Sequence, residues 1–247
     1  MTIRSNSDAQ PARVALIITA AGSSTRMGGI KKEYLPLGKG TVLSQCISAF
    51  LDASKDKNFP FEISKLIITV PAGGAAPAQK AVEPALCPLT IEYVEGGATR
   101  QKSVLNALEQ IARAAPLPDF VLIHDGARPF VQASLIAEVL KAAQEHDAAT
   151  PGITPTDTIK GLDADGFIIT HLVRSTLTAV QTPQGFAFEK LYDAHKMAAT
   201  DGHDYTDDSE IWGKYCGKVK LVTGDVKNVK ITYPGDVEKW IASLRSQ

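Results

Sequence analysis

The stretch VALIITAAGSSTRMGGIKKEYLPL, Val14 to Leu37, decides the fold. It opens with Val14-Ala15-Leu16-Ile17-Ile18, a short apolar run of the kind that forms a strand buried on both faces. The run ends at Thr19-Ala20-Ala21-Gly22, followed by Ser23, Ser24, Thr25, Arg26, Met27, Gly28 and Gly29. Small residues let the backbone turn sharply and bring its N–H groups close to an anion. Arg26, Lys31 and Lys32 add positive charge within reach of that loop, which suits phosphate. Gly22 and Gly28 are too far apart for the dinucleotide G-x-G-x-x-G pattern, and no Gly-Lys-Ser/Thr closes a P-loop. Taken alone, the segment also fits a plain strand-to-helix turn with a solvated basic edge. A secretory signal is disfavoured, because the apolar run lies behind a polar segment and leads straight into another ordered one.

At 247 residues the chain can bury a sizeable core, and it is read as a single domain over 1–247. A hydrophobic fraction of 44% with 21% charged residues is that of an ordinary globular protein. The formal net charge of −1 gives no global field for nucleic acid or anionic membrane, so neither is expected as a partner. Any anionic substrate must be met by a local cluster of Lys and Arg. Cys46, Cys87 and Cys216 are few, odd in number and far apart, which fits a reducing, cytoplasmic setting rather than a disulfide framework or a zinc site. Residues 1–13 read as a polar tail.

Beyond the loop, Val42, Leu43, Cys46, Ile47, Phe50 and Leu51 recur at helical spacing. Strands are expected at Leu66–Val70, near Thr90–Val94 and at Phe120–Ile123, with helices between them and after them. Strands alternating with helices predict a Rossmann-like α/β fold, a mostly parallel sheet with helices on both faces. Ligand sites in such sheets lie outside the carboxyl ends of the strands. The alternation breaks at 154–174, where Asp157–Lys160 and Phe167–Thr170 read as two strands of a hairpin around a Gly-Leu-Asp-Ala-Asp-Gly turn. This arm either projects, to be covered by a partner subunit, or folds back on its own domain. A helix over Phe188–Ala199, a strand over Val219–Val222 and a closing helix from Pro234 complete the expected chain.

Asp125 follows an apolar strand and is expected at its carboxyl end, where a carboxylate can hold a divalent cation on a triphosphate or contact a hydroxyl. Arg128 can pair with phosphate, or close the turn as a local ion pair with Asp125. His124 reads as a core-edge histidine. Thr182-Pro183-Gln184, Tyr205-Thr206-Asp207-Asp208 and the Asn228, Lys230, Thr232 set are polar clusters that turn chemistry alone can explain. Lys230 and Thr232, two apart, would face one side of a strand.

Read together, AAGSSTRMGGIKKEYLPL, GGATRQKSV, HDGARPF, DTIK, HLVRS, QTPQGF, DYTDD and NVKIT resemble, in order and spacing, the 2-C-methyl-D-erythritol 4-phosphate cytidylyltransferases. The resemblance runs over nearly the whole chain from about Ala15. It implies a homodimer joined through the 154–174 arm, CTP and a polyol phosphate as substrates, and Mg²⁺ or another divalent cation. It further implies that backbone groups of Ala20, Ala21, Gly22 and Gly97, with Ser103 and Arg100 of the same motif, receive cytosine and the triphosphate. Arg26 and Lys32 would hold the α-phosphate. Asp125 and Arg128 would sit beside ribose, metal and phosphates, with Asp125 the one metal-contacting side chain. Thr158 and Arg174 would reach the partner's site, and Lys230, Thr206 and Thr232 would complete the polyol-phosphate pocket. Two positions depart from the family pattern: Ser24 stands where a second glycine is frequent, and Ala98 where an acid is common. Lys31 beside Lys32 leaves two candidates for the catalytic lysine, and the following Glu33-Tyr34-Leu35 favours Lys32.

The reaction so implied is in-line attack on the α-phosphorus of CTP with pyrophosphate leaving, driven by positioning and electrostatics. Rival readings are a D-ribitol-5-phosphate cytidylyltransferase, a more distant sugar-1-phosphate nucleotidyltransferase, and a CTP-binding module without catalysis.

Overall fold

The computed structural model describes residues 11–57, 59, 61–233 and 235–236, without the side chain of Arg26. Residues 1–10 of the expected tail and all but residues 235–236 of the expected closing helix lie outside this set.

Strand β1 (Ala12–Thr19) starts earlier than its apolar run. Arg13 belongs to the sheet and not to a tail, because its N–H donates to the Asp119 carboxylate at 2.9 Å. A short ribbon of β2 (Pro36–Leu37) and β3 (Gly40–Thr41) leads into α1 (Val42–Ala53). Thr41 and Ser44 satisfy each other's backbone donors at its start, a capping box. β4 (Phe61–Val70), α2 (Ala75–Val82), β5 (Ile91–Glu95) and α3 (Arg100–Ala112) follow. β6 (Phe120–Asp125) and α4 (Ala133–His146) come next, then β7 (Ala148–Ile153). The arm holds β8 (Lys160–Leu162) and β9 (Ile168–His171). The chain returns through β10 (Ala179–Val180), β11 (Gln184–Ala187), α5 (Phe188–Ala198), α6 (Asp208–Tyr215) and β12 (Lys220–Thr223).

Among the described residues, eight strands form one sheet. β1 pairs in parallel with β4 and β6, and β4 with β5. Beyond β6 lies β11, antiparallel to both β6 and β7. β12 pairs in parallel with β7. From β1 the chain runs outward first to β4 and β5 and later back to β6, so the carboxyl ends of β1, β4 and β6 flank a switch point in strand order.

The two faces of β1 feed two cores. Val14, Leu16 and Ile18 pack with Leu43, Ile47 and Phe50 of α1 and with Ile136 and Leu140 of α4. Ala15 and Ile17 pack with Val104 and Leu108 of α3, Leu191 of α5 and Trp212 of α6. Strict alternation inside a run that reads as uniformly apolar is what a strand covered on both sides requires. No helix among the described residues is long and apolar enough to cross a membrane.

The arm's strands sit later than expected. Asp163 Oδ1 accepts from the N–H groups of Asp165 and Phe167, and Gly166 takes a φ of +87°, so the turn is tighter and Gly161-Leu162 join the strand. β7 is missing from the sequence reading because Ala148-Ala149-Thr150-Pro151-Gly152-Ile153 contains proline and glycine. Its carboxyl half is secured from outside: Pro151 and Gly152 carbonyls accept from the N–H groups of Gln181 and Gly224. β7 and β10 are antiparallel, so the arm inserts between them and leaves from the same sheet edge as the carboxyl end of β6. α6 also escapes the reading of DYTDD as turn chemistry. Asp207 is its N-cap, accepting from Glu210 N–H at 2.9 Å.

Candidate active site

At the carboxyl end of β1 the chain is tied down before it turns. Ala20 N–H donates to the Thr69 carbonyl at 3.1 Å, and Gly126 N–H to the Thr19 carbonyl at 3.0 Å. A 3₁₀ turn over Thr25–Met27 is bounded by Ser24 and Gly28, at φ +52° and +64°. Ser24 therefore occupies a left-handed conformation that suits glycine, which is where the family pattern has one. Lys31 Nζ donates to the carbonyls of Ala20 (2.7 Å) and Gly22 (2.6 Å) and pairs with buried Glu33 at 3.5 Å. Lys32, in the next turn, lines the cavity formed here. The two lysines thus divide the work, Lys31 holding the loop and Lys32 facing the space a ligand would take.

That cavity, about 440 Å³, lies at the carboxyl ends of β1, β4 and β6. Its walls include Ala21, Gly22, Lys32, Gly97, Arg100, Ser103, Asp125 and Lys230. Ala98 also lines it and offers only a methyl group. Gly96 must be glycine for the loop to close, since a Cβ there would lie 2.4 Å from the Ala21 Cβ. Ser103 Oγ accepts from Gly97 N–H at 3.1 Å and donates to the Thr99 carbonyl at 2.9 Å.

Asp125 is the electrostatic centre. Its Oδ2 lies 2.9 Å from Lys230 Nζ and 3.4 Å from Arg128 Nε, and its Oδ1 is 4.0 Å from Arg100 Nε. Burial alone would raise this carboxyl. Lys230, Arg100 and Arg128 outweigh burial and hold it well below the usual carboxylate range. The Asp125 backbone is fixed from behind. Its N–H donates to Thr182 Oγ1 at 3.0 Å, and Thr182 Oγ1 lies 3.1 Å from His124 Nδ1. His124 Nε2 faces the Arg128 carbonyl at 3.0 Å, so Nε2 carries the hydrogen and Nδ1 accepts from the threonine hydroxyl. Burial pushes the imidazole down to about 4, so it is neutral near pH 7 and serves as a post for the loop.

A second layer lies behind Arg100. Its NH1 is 2.7 Å from Oδ2 of the fully buried Asp208, and Asp208 Oδ1 accepts from His195 Nε2 at 3.1 Å. Burial would raise the Asp208 carboxyl, but Arg100 and His195 together hold it below its ordinary value. Burial likewise disfavours charge on Arg100, and Asp208 with Asp125 reverse this.

The structure gathers some of the expected residues at the cavity and leaves others off it. Ala21, Gly22, Lys32, Gly97, Arg100, Ser103, Asp125 and Lys230 line it. Ala20 is buried behind the loop, with its carbonyl on Lys31. Arg128 has its guanidinium between Asp125 and the Asn228 carbonyl, which accepts from NH1 at 2.7 Å, so the expected local ion pair is present. Thr206 Oγ1 donates to Glu210. Lys230 and Thr232 lie outside any strand, which corrects the expected alternation. Thr232 Oγ1 turns back to the Lys230 carbonyl at 3.1 Å, while buried Asn228 fixes the segment by donating to the Thr182 carbonyl at 2.8 Å. Thr158 and Arg174 are exposed on the arm, where Arg174 NH1 donates to the Thr156 carbonyl. The Arg26 side chain is outside the described set. His195 carries no signal in the sequence, and Asp208 enters it only within DYTDD, as part of a polar cluster that turn chemistry explains.

For a divalent cation, the donor set is sparse. No group of three His, Cys, Asp or Glu side chains among the described residues converges as a metal centre. Asp125 Oδ1 has only longer contacts, to Thr19 Oγ1 at 3.4 Å and Arg100 at 4.0 Å. The residues fit a hard cation that takes one carboxylate oxygen here and its other ligands from phosphates and water.

The 2-C-methyl-D-erythritol 4-phosphate cytidylyltransferase (IspD) family model matches residues 14–246. A protein of that name from Clostridium beijerinckii is 37% identical over 225 residues, covering 91% of this chain and 95% of the relative. One from Caldanaerobacter subterraneus is 38% identical, covering 91% and 95%. The solved structure of the Thermus thermophilus 2-C-methyl-D-erythritol 4-phosphate cytidylyltransferase superposes with a TM-score of 0.73 at 31% identity, covering 96% of this chain and all of that one. The 4-diphosphocytidyl-2C-methyl-D-erythritol synthase of Anaerococcus prevotii gives 0.77 at 28% identity, covering 95% and 96%. With the site assembled at the switch point of the sheet and a match from β1 onward, this chain belongs to the 2-C-methyl-D-erythritol 4-phosphate cytidylyltransferase family.

Proposed function

We infer that the chain transfers the cytidylyl group of CTP to 2-C-methyl-D-erythritol 4-phosphate, giving 4-diphosphocytidyl-2-C-methyl-D-erythritol and pyrophosphate. The observation that carries this reading is the convergence of Lys32, Arg100 and Lys230 on one cavity walled by the backbone of Ala21, Gly22 and Gly97. Such a site suits a base and triphosphate on the loop side and a second phosphate beside Lys230.

A phosphate monoester is already anionic near neutral pH, so the reaction requires no strong general base. One of its oxygens attacks the α-phosphorus of CTP in line. The new O–P bond forms as the bond to the β-phosphate's bridging oxygen breaks, and pyrophosphate leaves with that electron pair. Lys32 and Arg26 stabilise the charge spread over the α-phosphoryl oxygens, and Lys230, oriented by Asp125, pairs with the incoming phosphate. Asp125 would hold a divalent cation such as Mg²⁺ together with the phosphates, and that cation would offset triphosphate charge and make the α-phosphorus more electrophilic. The residues off the cavity have roles one step removed. Ala20 shapes the loop, Arg128 positions Asp125, and Thr206 and Thr232 border the polyol side.

The arm serves a homodimer. Phe167 and Ile169 are 70% and 63% exposed on it, a pairing of large apolar groups with water that a second copy would relieve. The same contact would carry Thr158 and Arg174 to the neighbouring cavity. Three free cysteines suit a reducing compartment such as the cytoplasm.

The test is pyrophosphate release with CTP and Mg²⁺, comparing methylerythritol 4-phosphate with D-ribitol 5-phosphate at equal concentration. Rapid release with the first alone is the expected result. Preference for ribitol phosphate overturns the substrate, and CTP binding without turnover of either overturns catalysis.

A further inference from the structure

Arg100 is the first residue of α3, where the helix dipole disfavours a cation, so the helix does not hold its guanidinium in place. Its geometry comes from elsewhere. NH1 is 2.7 Å from Asp208 Oδ2, Nε is 4.0 Å from Asp125 Oδ1, and NH2 is buried with no hydrogen-bond partner in a residue that lines the cavity. Asp208, fully buried at the start of α6, is held in turn by fully buried His195 of α5 through Nε2 at 3.1 Å. The imidazole's other nitrogen has no partner, so the ring's one polar tie is to Asp208. The result is a continuous line from His195 through Asp208 and Arg100 to Asp125 and Lys230, spanning three helices and the sheet edge.

We propose that His195 and Asp208 are positioning residues, which fix the Arg100 guanidinium at the cavity wall so that it meets an acceptor oxygen of the bound nucleoside triphosphate. This rests on the nucleotide reading above. Arginine presents its donors in a rigid fork, so seating one edge on a carboxylate determines where the other edge points. Asp208 seats NH1. His195 keeps the carboxylate from rotating away. Neither residue lines the cavity, and both act through Arg100.

The experiment is a double-mutant cycle on the full chain, read by CTP binding with Mg²⁺ in calorimetry and by steady-state kinetics. His195→Leu removes the donor and His195→Gln supplies one of similar reach. H195L is expected to weaken CTP binding by about tenfold and to lower kcat/KM for CTP in step, while KM for the polyol phosphate moves less than about twofold. H195Q is expected to recover most of the loss. In an Arg100→Gln background, H195L is expected to add no further loss, because the residue it positions is gone. Losses that multiply in that background, or unchanged CTP affinity in H195L, overturn the proposal. Should H195L fail to fold, Asp208→Asn carries the same cycle. Absence of CTP binding and turnover in the unmutated chain would instead overturn the nucleotide reading itself.

Discussion

The ammonium of Lys31 donates to the carbonyl oxygen of Gly22 at 2.6 Å, closing the loop that follows β1 from its inner side. The same group takes the Ala20 carbonyl at 2.7 Å. In a planar trans peptide the carbonyl and the next N–H point in opposite directions. With the carbonyls of Ala20 and Gly22 drawn to Lys31, the N–H groups of Ala21 and Ser23 are turned away from it. Ala21 and Ser23 both line the cavity. A cation behind the loop thus orients donors in front of it.

Lys31→Met removes this tie and also leaves Glu33, 4% exposed, without its cationic partner. The expected stability loss is roughly 2 kcal/mol, at the level of an uncompensated buried polar group. Adding Glu33→Gln is expected to restore most of the thermal stability, since no charge is then stranded. It is not expected to restore KM for CTP, which should stay raised by about tenfold. Recovery of both together would reduce Lys31 to a counter-ion for Glu33.

Lys32→Ala should behave differently. This side chain lines the cavity and is assigned to charge that develops on the α-phosphoryl group. Loss of one preorganised donor of that kind costs roughly 2–4 kcal/mol in the barrier. The fall should appear in kcat far more than in KM for CTP, with folding intact by circular dichroism. An unchanged kcat would remove Lys32 from the mechanism.

Ser24 tests the loop by its backbone. At φ +52° a side chain is strained by roughly 1–2 kcal/mol, and glycine relieves that at the cost of some unfolded-state entropy. The Ser24 hydroxyl is buried and without a partner, so no hydrogen bond is forfeited. Ser24→Gly is expected to stabilise by up to about 1 kcal/mol, raising Tm by about 2–4 °C in a chain of this size. A lower Tm would mean that the hydroxyl has a role in the folded loop.

These contrasts show what the sequence made legible. β1, β6 and the Leu66–Val70 half of β4 read cleanly because each is apolar enough to be buried on both faces, whereas the half-exposed start of β4 from Phe61 does not, and Asp125 reads from its place at the end of such a run. β7 does not, because Pro151 and Gly152 lower local propensity while their neighbours in the sheet supply the pairing. Lys31 and Lys32 are adjacent and chemically identical in sequence. Only the turn between them decides which faces the cavity. Asp208 and His195 lie thirteen residues apart on different helices, and no local pattern announces that they meet. The lines of sight through a fold are long-range, and periodicity is not.

The turn between α5 and α6 carries a pH-dependent clamp on α6. Asp201 accepts from the hydroxyls of both Tyr205 and Tyr215, and these bonds hold its carboxyl down at about 2. A carboxyl with a lower pKa in the folded state stabilises above its unfolded value, near 3.8, and loses that contribution as pH falls through about 2. The native chain should therefore melt above Asp201→Asn at pH 5, and the gap should narrow steadily as pH drops from 4 toward 2. A gap that is constant with pH would assign the effect to packing rather than to the carboxylate.

The arm yields the most demanding test. If two copies exchange arms, each cavity combines Lys32 of one chain with Arg174 of the other. A K32A chain and an R174A chain should each be nearly inactive alone. Mixed under conditions that allow subunits to exchange, half of the dimers are hybrids, and in each hybrid one cavity inherits both defects while the other inherits neither. Activity should therefore return to about one quarter of the unmutated value, a figure set by dimer symmetry alone. Phe167→Asp with Ile169→Asp, which places charge on the exposed apolar face of the arm, should abolish this recovery and give a monomer in sedimentation. Mixed chains that stay inactive while still forming dimers would mean that each cavity is completed within its own chain, and Arg174 would then lose its part in the reaction.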